Sequence, residues 1–229
     1  MLIGLISGDW SIVQNLVIVL AFALSIMIAL VLHEVAHAWV AFKQGDPSAK
    51  MAGRISLNPA RHIEPLGLLC FCIAGIGWAK PVPVNPFNYR NFKRGNFFVS
   101  ISGVTINLIL GFIFSFGLFL LIKLGSITST GGGWIIGNAP IWEFGLFFFL
   151  FFATVINIAL MVFNLLPVPP LDGYNMLVSF TKPNNSFMRF MRENAMIVLI
   201  VIIIFGSYFM GPVRDFIFSA FESFWGVFL

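Results

Sequence analysis

A long apolar segment near the start of the chain carries two histidines and a glutamate in its interior. No charged residue occurs between Leu20 and Val31, and the apolar pattern resumes at residues 38–40. The sequence HEVAH, residues 33–37, lies between these two stretches. A charged side chain at the centre of a membrane helix costs roughly 2.5–3.5 kcal/mol on insertion scales, so ionisable residues at that depth indicate a functional site.

The spacing of these residues points to a metal ion. His33 and His37 are four residues apart and therefore project from the same face of a helix. This H-E-x-x-H spacing lets two imidazoles bind one Zn²⁺, with Glu34 beside them to transfer protons. The motif predicts a metallopeptidase site built within a membrane.

The composition assigns the whole chain to the membrane proteins. Of its 229 residues, 59% are hydrophobic and 10% are charged. A soluble domain has about 25% charged residues, so a soluble metallopeptidase is excluded. The net charge of +4 comes from cations clustered in loops, which indicates membrane topology and predicts no nucleic-acid partner.

The hydropathy pattern predicts an all-α polytopic membrane fold. Apolar stretches long enough to cross a bilayer alternate with polar stretches that contain prolines, glycines and charges. They predict about four transmembrane helices, at residues 11–42, 97–124, 141–166 and 195–210. The phenylalanine-rich residues 144–152 of the third span are expected to face lipid.

Two further segments are expected to associate with the membrane, and whether 66–78 or 212–229 cross it fully is left open, with a fifth short span as the alternative for the tail. Residues 65–78 are apolar but short for a span and, with the proline-rich 78–86, predict a re-entrant or membrane-associated β segment. The tail, 212–229, has one apolar face and predicts a C-terminal amphipathic helix at the interface. The expected plan is a single domain, 1–229, with its core at about 11–180 and a C-terminal span and interfacial helix at 195–229.

The cations predict how the chain is oriented. Residues 43–95 hold eight lysines and arginines and residues 167–194 hold three, whereas 125–140 hold none. By the positive-inside rule the two cationic stretches lie on the cytoplasmic side. The histidine motif is then expected near the cytoplasmic face of a multi-pass protein.

A catalytic zinc site usually has three protein ligands and one water, so the two histidines need a third ligand. The candidates are His62, Asp9, Asp46, Glu64, Glu143, Asp172, Glu193, Asp215 and Glu222. Most of the acidic residues lie at span ends or in polar stretches, where solvation explains them. Asp172 differs because it lies in FNLLPVPPLDG, residues 163–173, whose prolines end the third span. An unwound segment there can turn a carboxylate toward the membrane interior.

The combination of HExxH in a membrane helix with FNLLPVPPLDG at a later span end resembles the site-2 protease family of intramembrane zinc metallopeptidases. The resemblance covers roughly residues 20–180. It implies a minimal form without a PDZ or CBS domain. It also implies a zinc-dependent endopeptidase that hydrolyses peptide bonds in or near transmembrane segments of membrane proteins, in regulated intramembrane proteolysis.

The same resemblance assigns roles to individual residues. It implies that His33, His37 and Asp172 bind one Zn²⁺ per chain and that Glu34 is the catalytic base. Asn164 matches an asparagine that the family uses in catalysis or substrate binding.

Three other polar residues are expected to have structural roles. Asn107 ends the run 102–107, which resembles the family's small-Gly-Pro-x-x-Asn motif except that Val104 replaces the proline. Asn107 and Asn157 are expected to bridge helices, since amides within spans commonly do so. His62, in a loop near the interface, is also expected to be structural.

The expected partners are a transmembrane protein substrate and the lipid bilayer of a prokaryotic cell membrane. A homo-oligomer, or a partner that presents the substrate, is left open. The alternative function is a membrane zinc or metal transporter that uses the HExxH helix as an ion site. Such transporters usually need more spans and a histidine-rich loop, whereas this chain has three histidines in all.

Overall fold

Helices dominate the computed structural model, which describes residues 10–62, 64–74, 80–125, 127–130, 133–135, 139–181 and 185–228. In chain order they are α1 (Ile12–Gln44), α2 (Ser48–Met51), α3 (Pro65–Ala74), α4 (Phe92–Leu124), α5 (Ile141–Asn164), α6 (Asp172–Val178), α7 (Ser186–Glu193), α8 (Ala195–Phe205) and α9 (Ser207–Phe228). A short antiparallel hairpin between α4 and α5 pairs β1 (Thr128–Thr130) with β2 (Gly133–Ile135).

Helices α1, α4 and α5 are long and apolar enough to cross a membrane. They confirm the all-α polytopic membrane class and match the first three predicted spans. Helices α1 and α4 have 33 residues each. At 1.5 Å per residue each is about 50 Å long and so extends beyond a hydrocarbon core of about 30 Å.

Local sequence signals set the ends of the long helices. Ser11 and Gln14 form a capping box at the start of α1, in which each side chain binds the other's backbone N–H. Gly45 ends α1 with φ at 112°, a left-handed conformation that favours glycine. The side chain of Asn91 accepts a hydrogen bond from the Arg94 N–H and caps α4.

The C-terminal region differs from the predicted bounds. The fourth predicted span, 195–210, is divided at Gly206 into α8 and the start of α9. Helix α8 has 11 residues and is about 17 Å long, which is too short to cross a bilayer alone. Among the described helices, only the first three predicted spans therefore reach crossing length within their expected bounds.

Helix α9 packs directly on the spanning helices. The indole N–H of Trp225 donates to the Ser115 hydroxyl at 2.9 Å. The Phe112 ring lies 5.2 Å from the Phe221 ring and 4.6 Å from the Trp225 ring, centroid to centroid. The face that packs inward also includes Ile217. The apolar stripe of the tail is thus used partly against protein rather than only at an interface.

The region between α1 and α4 contains less regular structure than predicted. Helix α3 covers residues 65–74, and residues 75–79 lie outside the described residues. Residues 80–85 form no helix and pair as a strand with no other described segment. The prolines at 81 and 83 explain this, because each lacks the N–H that a sheet ladder requires.

The expectation that residues 144–152 face lipid is wrong for the phenylalanines that form the main core. Phe144, Phe147, Phe148 and Phe152 are at most 3% exposed. They pack with residues of α1 and α4, because the three helices all contact one another and α5 turns these rings toward the other two. Phe22 of α1, for example, meets the Phe152 ring edge-on at 5.1 Å. Hydropathy could not reveal this, since lipid and a protein interior are equally apolar.

Candidate metal centre

Three side chains from two distant parts of the chain converge at one point. His33 and His37 project from α1, and Asp172 lies at the first position of α6. The two imidazole Nε2 atoms are 3.0 Å apart. The Asp172 Oδ2 atom lies 3.4 Å from His33 Nε2 and 3.3 Å from His37 Nε2. Within the described part of the chain, these residues form a group that could hold a metal ion.

The spacing of the three atoms suits tetrahedral Zn²⁺. Zinc binds imidazole nitrogen and carboxylate oxygen at about 2.0–2.2 Å, which places neighbouring ligand atoms about 3.3 Å apart in a tetrahedron. The three observed separations lie between 3.0 and 3.4 Å. Two histidines and one carboxylate also form a common catalytic zinc set, which leaves a fourth position open.

The hydrogen bonds of the imidazoles also indicate a cation. The His37 Nδ1 atom lies 2.7 Å from the Val99 carbonyl oxygen, which can only accept, so the proton of neutral His37 is on Nδ1. His33 Nδ1 lies 2.5 Å from the Asn107 Oδ1 atom. Both Nε2 lone pairs therefore face Asp172, whose buried Oδ2 accepts a hydrogen bond from none of the residues that the structure describes. Three electron-pair donors at this separation repel one another unless a cation lies between them.

Helix α4 approaches the histidines at a glycine. A Cβ atom added to Gly103 would lie 2.5 Å from His33 Cε1 and 2.5 Å from His37 Nε2. These distances are far below van der Waals contact, so only glycine lets α4 pack this closely against the motif. The close approach explains the glycine in the run 102–107.

A second glycine brings Asp172 into position. The chain leaves α5 at Asn164, turns through the prolines and enters α6 at Asp172. A Cβ atom on Gly173 would lie 2.6 Å from the Leu166 carbonyl oxygen and closer still to that of Leu165. Because backbone atoms cannot move aside as a side chain can, Gly173 allows α6 to fold tightly against the end of α5.

Helix α6 is also attached to α4. The buried Asn96 amide donates to the Asn175 carbonyl at 2.5 Å and to the Ser179 hydroxyl at 3.0 Å. The carboxylate of Asp172 is therefore held by the turn at the end of α5 and by an anchor on α4.

The Glu34 carboxylate is held by residues 80–85, which we call the strap. The Val82 N–H donates to Glu34 Oε2 at 3.0 Å. The buried Arg54 guanidinium donates to the carbonyls of Lys80 at 2.5 Å and Pro81 at 2.6 Å. The strap thus passes directly beside the acidic residue of the motif.

Two predicted residues make contacts away from the three converging atoms. The Asn164 amide donates to the Leu160 carbonyl at 3.0 Å, within its own helix. His62 is fully buried, and its Nε2 lies 2.7 Å from the Ser56 carbonyl oxygen. The contact of His62 agrees with the expected structural role.

Asn107 is the residue whose connection to the site the sequence did not predict. The sequence predicts for Asn107 only a bridge between helices, and the residue does bind Asn157 of α5 at 2.8 Å. Its other amide atom, however, contacts His33 directly. The sequence does contain one indication, namely two uncharged polar residues, Asn107 and Asn157, within predicted spans. Such a pair predicts a contact between helices, but not that Asn107 also binds His33.

The model of one protein family, peptidase family M50, matches residues 21–207. This match includes the histidine motif, Gly103, Asn107 and Asp172.

Named relatives in bacteria are similar over most of the chain. The "Putative zinc metalloprotease YwhC" of Bacillus subtilis is 35% identical over 207 residues, which cover 87% of this chain and 90% of the relative. The "Putative zinc metalloprotease Rip2" of Mycolicibacterium smegmatis is 30% identical over 162 residues, covering 69% of this chain and 56% of that protein. The protein of the same name in Mycobacterium tuberculosis is 29% identical over 163 residues. No solved structure gives a significant match.

Proposed function

The chain belongs to peptidase family M50, and on that premise we propose that it is a zinc-dependent intramembrane endopeptidase of the site-2 protease type. The reaction is hydrolysis of peptide bonds in or near the transmembrane segments of membrane proteins. The observation that carries the proposal is the convergence of two imidazole nitrogens, from a helix of membrane-spanning length, with the carboxylate oxygen of Asp172 from α6.

In this proposal His33, His37 and Asp172 hold one Zn²⁺ per chain. The support is threefold: the ligand atoms have tetrahedral spacing, both Nε2 lone pairs face inward, and the buried Asp172 Oδ2 has no donor among the described residues. The bacterial relatives are themselves named zinc metalloproteases, which supports zinc as the metal. When bound, Zn²⁺ supplies Lewis acidity that polarises a scissile carbonyl and acidifies water.

Glu34 is the general base. It is adjacent to His33 in α1, and its carboxylate accepts the proton of the attacking water and returns it to the leaving amine. The bond formed joins the water oxygen to the carbonyl carbon, and the bond broken is the peptide C–N bond. The Val82 N–H orients the carboxylate by binding Oε2, which leaves the Oε1 atom to receive the proton.

We assign Asn164 to the substrate side of the site. Its amide can donate to the oxyanion of the tetrahedral intermediate. To do so the side chain must exchange the Leu160 carbonyl, within its own helix, for the substrate. Asn164 thus differs from His33, His37 and Asp172, whose side chains already lie together without any rearrangement.

The partners that fit this activity are a transmembrane protein substrate and the bilayer. A substrate helix hides its carbonyls in internal hydrogen bonds, so it must unwind before attack. The cation pattern orients a multi-pass chain in a prokaryotic cell membrane with the site toward the cytoplasm, and the similar proteins are bacterial. We treat residues 1–229 as one intramembrane domain, in which the family match covers 21–207.

The strap offers an unwound substrate few backbone partners. Its N–H groups at Lys80 and Val82 bind His62 and Glu34, and its prolines have none. Arg54 occupies the carbonyls of Lys80 and Pro81. The carbonyls of Val82 and Pro83 and the Val84 N–H bind no other described residue. An extended substrate that adds alongside as a strand would use these groups.

The test is a joint measurement of metal content and proteolysis. Wild type, Glu34→Gln and Asp172→Ala are purified in detergent, their zinc is quantified, and each is incubated with single-span substrates. Wild type should bind one zinc and cleave. Glu34→Gln should bind zinc and be inactive, because it keeps the metal ligands and loses the base. Asp172→Ala should lose zinc and activity together.

Two outcomes would contradict the proposal. Cleavage by Glu34→Gln would remove Glu34 from its role as base. Stoichiometric zinc in the wild type with no cleavage of any substrate, combined with zinc flux into liposomes, would instead favour a metal transporter.

A further inference from the structure

A line of hydrogen bonds links α5 to the metal centre through two buried amides. The Asn157 Nδ2 group donates to the Ala153 carbonyl at 2.8 Å, one turn earlier in α5. The Asn107 Nδ2 group donates to Asn157 Oδ1 at 2.8 Å. Asn107 Oδ1 then lies 2.5 Å from His33 Nδ1. Both asparagines are 0% exposed, so no solvent competes for these bonds.

The Ala153 carbonyl determines which atom donates and which accepts in every hydrogen bond of this line. A backbone carbonyl can only accept, so Asn157 must present its NH₂ group to Ala153 and its oxygen to Asn107. Asn107 must then present its NH₂ group to Asn157 and its oxygen to His33. An oxygen facing His33 Nδ1 requires a proton on that nitrogen, which leaves the lone pair on Nε2.

We propose that Asn157 is a positioning residue of the metal centre, acting through Asn107 to fix His33 as the Nδ1–H tautomer. This inference rests on the proposed zinc site, because the Nε2 lone pair is what a metal would bind. Asn157 itself touches none of the three converging ligand atoms in the described contacts. Its part is to remove the freedom of Asn107 to turn its amide around.

The buried location makes the orientation effective. If the Asn107 amide turned around, its oxygen would face the Asn157 oxygen and its NH₂ group would face His33. Two acceptors would then lie together without a proton, which is costly where no water is present. The His33 proton would also move to Nε2 and block the metal position.

His37, the second histidine, needs no amide side chain to determine its tautomer. The proton of His37 is set directly by the Val99 carbonyl, a backbone acceptor that cannot turn around. His33 instead meets an amide side chain, whose two ends have opposite hydrogen-bonding character. Fixing that amide therefore requires a further partner, and Asn157 is the partner that the structure provides.

The first experiment compares Asn157→Leu with Thr154→Val. Leucine has the same number and branching of side-chain heavy atoms, although its methyl groups are bulkier, and it cannot accept from Asn107. Thr154 is a matched control, since it lies on the same helix, is 0% exposed and binds a carbonyl in its own helix at 2.8 Å. Zinc affinity is measured by competition with a chelator. Asn157→Leu should weaken zinc binding about tenfold to hundredfold, as other outer partners of metal-binding histidines do, whereas Thr154→Val should bind like wild type.

A rescue variant separates this role from packing. Asn157→Asp, when protonated in the apolar interior, can donate its O–H to Ala153 and accept from Asn107 through its carbonyl oxygen. It should therefore bind zinc more tightly than Asn157→Leu.

A readout without metal gives an independent test. Nitrogen-15 NMR of the histidine side chains in metal-free protein should show His33 as the Nδ1–H tautomer in wild type. The same tautomer is expected in Thr154→Val, and a mixture of tautomers in Asn157→Leu.

A double-mutant cycle with Asn107→Leu completes the test. Because Asn157 acts only through Asn107, Asn157→Leu should add little further loss of zinc affinity in the Asn107→Leu background. Additive losses, or wild-type affinity and an unchanged His33 tautomer in Asn157→Leu, would overturn the inference. A wild type that binds no zinc would overturn the proposed metal site itself, and the NMR tautomers would still report on the amides.

Discussion

Gly103 lies where α4 passes closest to the two histidines, and it has no side chain that would push them apart. It allows α4 to contact both imidazoles of α1, and the same helix supplies Asn107 and the Val99 carbonyl that orient them. A longer distance between the helices would therefore weaken both orienting bonds as well as the packing. The glycine thus controls the geometry of the metal centre without any polar group of its own.

We expect Gly103→Ala to lower zinc affinity by about tenfold or more, because the new methyl group must displace an imidazole and break an orienting hydrogen bond. Zinc binding by chelator competition measures the effect. Gly117→Ala, on the same helix, is the control: its methyl group would meet the flexible Leu150 side chain at 3.1 Å and should leave affinity unchanged. Equal affinities in wild type and Gly103→Ala would show that α4 has room to move.

The strap is held at its far end by Asp46, just beyond the end of α1. The Asp46 side chain is fully buried. Its carboxylate accepts from the Asn85 N–H at 2.6 Å, the Asn88 amide at 2.8 Å and the Ser48 hydroxyl at 2.6 Å. Burial alone would raise the pKa of Asp46, but the hydrogen bonds to its ionised form hold that pKa below its ordinary value of 3.8. The ionised carboxylate thus joins the end of α1 to the start of α2, to the strap and to the turn that precedes α4.

We expect Asp46→Asn to lower the free energy of unfolding by about 1–3 kcal/mol at pH 7, because the charged acceptor is lost. The pKa of Asp46 is lower in the folded state than in the unfolded state. Its carboxylate therefore stabilises the fold fully at pH values above the unfolded-state pKa of 3.8. This stabilisation is lost as the pH falls from there through the folded-state pKa. The melting temperatures of wild type and variant in detergent should therefore converge in acid.

The control for this experiment is Asp215→Asn. Asp215 is an exposed acid that pairs with its neighbour Arg214, and its loss should change the melting temperature little. A constant difference between wild type and Asp46→Asn from pH 7 to below 3.8 would contradict the role of the ionised carboxylate.

The arrangement of the three spanning helices determines where the metal centre lies relative to the two faces of a bilayer. Helices α1, α4 and α5 all contact one another, and α9 covers the outer side of α4 and α5. The converging ligand atoms lie where α1, α4 and α6 meet, near the end of α1 that leads into the cationic residues 43–95. If those cations are cytoplasmic, the site opens toward the cytoplasm.

The orientation can be measured with single cysteines. Cys70 and Cys72 are first replaced by alanine, and one cysteine is introduced at Arg90, before α4, or at Ile141, the start of α5. A membrane-impermeant maleimide should label Ile141→Cys from outside intact cells. It should label Arg90→Cys only in inside-out vesicles, because α4 separates the two positions. The opposite pattern would reverse the orientation, and labelling of both from one side would mean that α4 does not cross.

Features that depend only on nearby residues could be predicted from the sequence alone. The spacing of His33 and His37 follows from the helical repeat, and apolar stretches between turn residues define α1, α4 and α5. The prolines before Asp172 mark the point where the third span ends. These features are local, so each could be read without knowing which other part of the chain lies beside it.

The tertiary structure alone decided which residues meet. Hydropathy measures how apolar a helix is, but not whether lipid or protein covers each face. It therefore predicts lipid contact for Phe144 and Phe152, which the structure buries in the protein core. The contact between Asn107 and His33 joins residues 74 positions apart, and the bond from Asn107 to Asn157 joins residues 50 apart. No local pattern encodes such pairs, because they depend on how three helices pack together.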